Sequence, residues 1–439
     1  MTALGRTIHP AGLVAAYVMI SIAQVISYGR FDHNALILVT LGIGSGLWAI
    51  MMPHESDKQL QDNVLVLCVV ATLLAALIHN PLTYQRGGGW VPVYRIGCVL
   101  CAAIVLTYLV PAALPKSVLR MRFLLLMAFA IGVRLAIPLA SPTPGEDVWV
   151  VQQEAASALL AGRDPYVEPY SQIFAPQVYE LFGYRSGFHY PPLSLVPIVP
   201  AFLFWGDIRW SFILCDIFLI SALWLLLRRN PKPFPGYLRE LIVLLWALNP
   251  SILFVLEHSW TEPFGLALLA AFALLSVRFK VWSAAVALAL FFSFKQYTVL
   301  LFPLLLFAPF AGYAFVLFLA LNAVMYAPWL FIGMQGVADS LLEPWRARPR
   351  PDGLSLSALW MNLTQRPSPS WFSALCLWSG MWIALRRLQG GSRGLLSGIF
   401  IVLALLFISA KQSFCNYYYF LSYILLLILA LPPDREATQ

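Results

Sequence analysis

Charge is what this sequence has least of: Asp, Glu, Lys and Arg make up only 11% of its 439 residues. A soluble domain could not keep a 60% hydrophobic chain dispersed, so lipid must be the solvent for most of it. Nucleotide and zinc motifs are missing as well. Without a Walker loop, a GxGxxG or an HExxH, neither nucleotide-driven transport nor zinc proteolysis is supported. No cysteine framework is present. Cys68, Cys98, Cys101, Cys215, Cys376 and Cys415 lie in or beside apolar runs, and Cys98-x-x-Cys101 has redox spacing without a partner pair. No A-x-A-like cleavage site follows the first apolar run, which reads as a retained span. The net charge of +8 does not imply nucleic acid, because the basic residues sit at the ends of apolar runs, as orientation signals do.

What the sequence has in abundance is apolar runs of spanning length, each of which must be helical in lipid. They fall at 11–28, 34–52, 63–79, 92–113, 121–139, 210–228, 238–257, 263–277, 281–294, 298–310, 312–332, 371–386, 394–410 and 415–431. Four basic clusters lie between them: Lys116, Arg120 and Arg122; Arg228, Arg229 and Lys232; Arg278 and Lys280; Arg386, Arg387 and Arg393. One topology places all four in the cytoplasm, with both termini inside, provided that 191–205 does not cross. Four prolines in that stretch suit a broken, dipping segment. The chain is therefore expected to be an all-α polytopic membrane protein. Its polar stretches, 140–190, 257–262, 294–297, 333–370 and 409–412, then share the outer face. Residues 1–115 read as an accessory four-helix segment and 432–439 as a cytoplasmic tail.

The longest stretch that cannot sit in lipid is 141–192, rich in charge and aromatics. Val148, Val151, Ala155 and Leu159 recur at helical spacing with Gln152, Gln153 and Glu154 opposite, which predicts a juxtamembrane helix lying flat. A second such helix is expected over 170–182. Asp147 opens the first, where a helix N-terminus favours a carboxylate. It can serve as an N-cap or as a base facing a hydroxyl. Glu154 and Asp164 read as structural.

Three stretches together resemble the GT-C superfamily of membrane glycosyltransferases: an acid opening a flat helix, Leu159-Leu160-Ala161-Gly162-Arg163-Asp164-Pro165-Tyr166, and Phe188-His189-Tyr190-Pro191-Pro192-Leu193. Within it they most resemble the polyprenyl-phosphate-mannose-dependent branch, of the PimE type. Lys295 at a helix end with Pro303 following, and Asn416-Tyr417-Tyr418-Tyr419-Phe420, fit it too. The resemblance covers about 116–431 as a catalytic module, with its outer loop at 140–206, and leaves out the first four spans. It implies a GT-C-like helix bundle and a first-loop catalytic base, carried over to Asp147 with Glu146 as rival. It also implies a sugar, mannose first, on a polyprenyl phosphate, and a lipid or glycan acceptor at the extracytoplasmic face of a bacterial cell membrane. The DxD form of some branches is absent; no cofactor is expected and no metal is assigned.

Displacement at an anomeric carbon needs a base and cations for the leaving phosphate. The candidate cations are Lys295, the cluster Arg346, Arg348 and Arg350, and Lys411. Each has a bland alternative, snorkelling for Lys295 and a solvated loop for the others. Glu257, His258 and Glu262 flank Trp260 and suit a second acid or acceptor binding, and His189 is a further candidate. A carrier or flippase for lipid-linked sugars is the rival class. It would place charges near mid-bilayer and show related halves. A membrane O-acyltransferase ranks third, since His189 and His258 lie in loops.

Overall fold

The computed structural model describes residues 8–52, 62–110, 115–183, 186–230, 234–278, 280–308, 310–388 and 390–432. The expected inner loop at 55–61, Arg185, Lys232 and the tail from 433 onward lie outside them. Among the described residues the fold is helical, and the one bridge between extended residues is an isolated pair, Arg30 and Gly353.

Five helices come first: α1 Pro10–Ser27, α2 His33–Met51, α3 Asp62–Ile78, α4 Trp90–Leu106 and α5 Lys116–Ala140. Three short ones follow in the long loop: α6 Asp147–Leu160, α7 Pro176–Phe182 and α8 Leu195–Trp205. Then come α9 Arg209–Arg229, α10 Gly236–Ala247, α11 Pro250–Glu257, α12 Glu262–Val277 and α13 Val281–Ser293, and a 3-10 helix at Gln296–Phe307. The last six are α14 Ala311–Ile332, α15 Met334–Arg346, α16 Leu356–Thr364, α17 Ser370–Arg387, α18 Ser392–Ser409 and α19 Cys415–Ala430.

Among the described residues, eight helical stretches are long and apolar enough to cross a bilayer, and each coincides with an expected span. Shorter apolar helices occupy five more expected spans. Two differ from a straight helix. The expected span at 238–257 breaks at Asn249-Pro250, because proline cannot donate to the helical ladder. The side chain of Asn249 caps α11 by accepting from Ser251 N at 3.1 Å, and Tyr17 donates to the freed Leu245 carbonyl at 2.5 Å. The expected span at 298–310 is the 3-10 helix, whose twelve residues extend ~24 Å at about 2.0 Å each. The segment at 191–205 forms only the eleven-residue α8, roughly 17 Å long against about 30 Å of hydrocarbon. That length suits the non-crossing segment the topology requires.

α19 is the buried axis of the molecule, with every residue from Tyr418 to Ala430 inside. α1, α9, α11, α12 and α18 pack round it, while α14 presents most of its surface outward, including Phe331 at 90% exposed. α1 is built into this core. Gln24 donates to Ser422 at 3.3 Å, and Asn249 donates to Tyr17 and Ser21 at 3.0 and 3.1 Å. Gly29, at φ +70°, passes so close to α19 that a Cβ there would lie 1.9 Å from Cys415 N. Deep in the bundle Arg134 of α5 meets Asp216 of α9 at 2.6 Å. Trp246 and Tyr419 donate to the other oxygen of Asp216, each at 3.1 Å.

Candidate functional site

The long loop lays α6 across one end of the bundle. Glu146 is its N-cap residue, extended at φ −116°, ψ 127°, and its side chain makes no cap bond. Asp147 is the first helical residue, and one of its oxygens accepts from Val148 N at 2.9 Å. On one helix, adjacent carboxyls would point apart; with Glu146 extended ahead of it, they interact directly. α6 is pinned by amides expected on its wet face. Gln152 is buried and donates to Ser259 O at 2.8 Å, and Gln153 bonds both Ile208 N and Gly206 O. The second flat helix is shorter than expected, starting at Pro176, because proline suits the first helical position and leaves 170–175 outside. Glu154 accepts from Ser171 N, and Asp164 accepts from Tyr166 N and Trp329 Nε1. Both are structural, as expected.

A hollow of about 240 Å³ opens beside the start of α6. Glu146, Asp147, His189, His258 and Trp260 border it, and so do Arg30, Arg350 and Gln412 from other loops. Tyr84 donates to Glu146 Oε2 at 3.1 Å, and His258 Nε2 lies 3.7 Å from the same oxygen. His258 Nδ1 is 2.8 Å from the Phe254 carbonyl. A carbonyl only accepts, so Nδ1 carries the proton and Nε2 is left with its lone pair, beyond hydrogen-bond distance of Glu146. Burial, followed by the charge of Asp147, pushes Glu146 well above the usual carboxylate range. Burial pushes His258 down to about 3. Both shifts favour the neutral forms, next to a second carboxyl, in a hollow that also contains two arginines.

Several expected site residues have other work. Glu257 does not face the hollow. Its carboxylate takes the amides of Thr83 and Tyr84 at 2.6 and 3.0 Å and the Thr83 hydroxyl at 3.0 Å, clamping the loop between α3 and α4. Lys295 is an ion-pair partner rather than a free cation for phosphate. It binds the fully buried Glu262, which also accepts from Asn416 at 2.9 Å. Three rings, Tyr190, Tyr297 and Tyr417, stand 5.7 Å from its ammonium. Lys411 caps the end of α15, donating to the carbonyls of Trp345 and Ala347. Arg346 pairs with Asp339 in solvent, and Arg348 reaches the Glu180 carbonyl. Of the cluster only Arg350 borders the hollow, held by Asp352 through two bonds of 2.9 and 2.6 Å and lying over Phe414 at 4.7 Å. His189 borders it as well, with Nδ1 3.2 Å from Ser340 O.

The residues that sequence reasoning missed come from the first four helices. Arg30, Tyr28 and Tyr84 were set aside with the accessory segment, yet Arg30 and Tyr28 line the hollow and Tyr84 holds Glu146. One signal was available: Arg30 is a basic residue on a turn that the topology places outside, against the orientation rule. Among the described residues no group of three or more His, Cys, Asp or Glu is placed to hold a metal ion. Comparison with protein-family models, with curated proteins and with solved structures finds no match, so the chemistry rests on the chain's own residues.

Proposed function

We propose that the chain is a membrane glycosyltransferase of the GT-C kind. It moves a sugar, mannose first, from a polyprenyl phosphate to a hydroxyl of a lipid or glycan acceptor at the extracytoplasmic face. One observation carries this: adjacent carboxyls, Glu146 and Asp147, border a hollow that also holds Arg30 and Arg350. Asp147 takes the acceptor's hydroxyl proton as oxygen bonds to the anomeric carbon. The bond from that carbon to the phosphate oxygen breaks, and its electron pair leaves with the phosphate. A single displacement of this kind inverts the anomeric centre. Arg30 and Arg350 offset the growing negative charge. Glu146, kept protonated, offers an O–H donor to a substrate oxygen, and Trp260 offers an aromatic face to the sugar.

The carrier reading has one observation on its side, the Arg134–Asp216 pair among the spans. Its donors fix it in place, so it supplies no mobile charge. The test is transfer from radiolabelled polyprenyl-phosphate mannose to a lipid extract by purified protein. Asp147→Asn is expected to lower turnover by about 10²–10⁴-fold, the usual worth of a general base. Full turnover in that variant, or none in the wild type with any donor sugar, overturns the reading. Cysteine labelling at the exposed Ser171 from outside intact cells checks the face.

A further inference from the structure

A second cavity, of about 250 Å³, lies between α4 and α5, on the far side of the loop that Glu257 clamps. We propose that this cleft seats the hydrocarbon chain of a single-chain polyprenyl phosphate, with the phosphate against Arg86. The proposal rests on the transferase reading and assigns the donor's tail to the N-terminal helices.

The cleft has the polarity of an amphiphile. Trp90, Val93 and Tyr94 form one wall, and Phe129, Gly132 and Val133 the other. At one level the two helices touch, where a Cβ on Gly97 would lie 2.2 Å from the Phe129 ring. They diverge towards the loop, and opposite Gly132 there is open space. The flanking surfaces face lipid, with Val93 66% and Leu139 71% exposed. The loop end adds the amides of Asn80 and Gln85 to walls whose polar groups are those of Trp90 and Tyr94. Gln85 borders the cleft, and its buried Oε1 has no partner. Next to it Arg86 bonds through its backbone N–H to the carbonyl of Ala140, a wall residue, at 2.9 Å. The Arg86 side chain is exposed, bonds the neutral Thr143 hydroxyl, and has no carboxylate partner among the described residues.

The volume sets the number of chains. At ~30 Å³ for a water-sized group, the cleft takes about eight of them, room for the first isoprene units of one chain, the rest of which runs on into lipid. Lipid tails gain little hydrophobic energy by leaving the bilayer, so packing and the head group must decide occupancy. A cation at the cleft's mouth supplies the head-group term. The same loop links the cleft to the hollow: Leu82 and Gln85 face the chain, while Tyr84 holds Glu146. A phosphate at Arg86 lies beside Thr143, four residues before Asp147; for transfer it moves past Gly145 into the hollow, where Arg30 and Arg350 receive it.

The test is photolabelling of the purified full-length protein in nanodiscs with farnesyl phosphate carrying a diazirine on its chain. Labelled peptides are expected within 80–94 and 129–140. Gly132→Leu, whose side chain enters open space, and Val93→Trp, from the other wall, should each cut labelling roughly tenfold, the scale of overpacking a filled site. Arg86→Gln should cut it about fivefold. Asp147→Asn should leave it unchanged. Labelling elsewhere, labelling untouched by both wall variants, or equal displacement by the two-chain phosphatidylglycerol overturns the proposal. The two readings fail separately. Cleft labelling without any transfer removes the enzyme and keeps the seat, whereas full transfer by Gly132→Leu removes the seat and keeps the enzyme.

Discussion

Two regions of this molecule place carboxylates away from bulk water, and they do so in opposite ways. Asp216 sits among α5, α9, α10 and α19 with both oxygens engaged by fixed donors, Arg134 on one side and Trp246 and Tyr419 on the other. Glu146 and Asp147 stand at a loop-to-helix junction, facing each other and a hollow. A carboxylate held by three fixed donors serves as a strut. Two carboxyls that border empty volume leave room for a further partner. Burial is common to both regions; open space beside the acid belongs to only one of them.

The sharpest way to break this comparison is to neutralise each acid in turn. Asp147→Asn should lower transfer by about 10²–10⁴-fold and leave the thermal midpoint in detergent close to wild type. A midpoint that collapses would make Asp147 a strut too. Arg134→Met should do the reverse, costing ~3–5 kcal/mol of stability by leaving Asp216 buried and uncompensated. The double change Arg134→Met with Asp216→Leu should recover most of that loss, since the unpaired charge is gone. Chemical denaturation of the three proteins checks both statements.

Smaller effects sharpen the picture. Glu257→Gln removes the charge that holds Thr83 and Tyr84, worth about 1.5–3 kcal/mol for bonds to a charged group. The two amides should then exchange hydrogen faster while those of α19 do not. His258 gives the gentlest test. Buried and lowered to about 3 from 6.5, it refuses a proton that the unfolded chain accepts within that window. Stability should fall as pH drops below 6.5, by at most ~1.4 kcal/mol per unit. His258→Gln should flatten that acid side. Glu146 has the opposite sign: raised in the fold, it costs stability as pH climbs from the ordinary carboxylate value, and Glu146→Gln should flatten that limb. Thermal midpoints measured across pH separate the two.

Much of the fold was legible because lipid leaves the backbone few choices. Apolar runs announced the spanning helices, and the helical spacing from Val148 to Leu159 announced α6. Of the residues round the hollow, Glu146 and Asp147 stand out as neighbours in sequence and His258 within its own loop, but nothing local shows that the two loops meet. Lys295 illustrates the limit. Its position at a helix end was correctly noticed, but its partner Glu262 comes from another helix, and no local pattern reveals a pair 33 residues apart. Glu257 and Lys411 were similarly spent on backbone groups of distant loops. Arg30 was passed over because its helix looked like an addition, and only packing shows that α1 runs beside α19.

That last adjacency bears on how the protein comes to exist. Gln24 and Ser422 are 398 positions apart and hydrogen-bonded. The turn at Gly29 presses on the first residue of the final helix. During synthesis α1 enters the bilayer before α19. The hairpin of α1 and α2 must therefore wait in the membrane, without the contacts that α19 supplies, until α19 arrives. The cell has to shelter an incomplete intermediate while the intervening helices are made, and a ribosome that stalls before Cys415 leaves behind a wedge with an open seam.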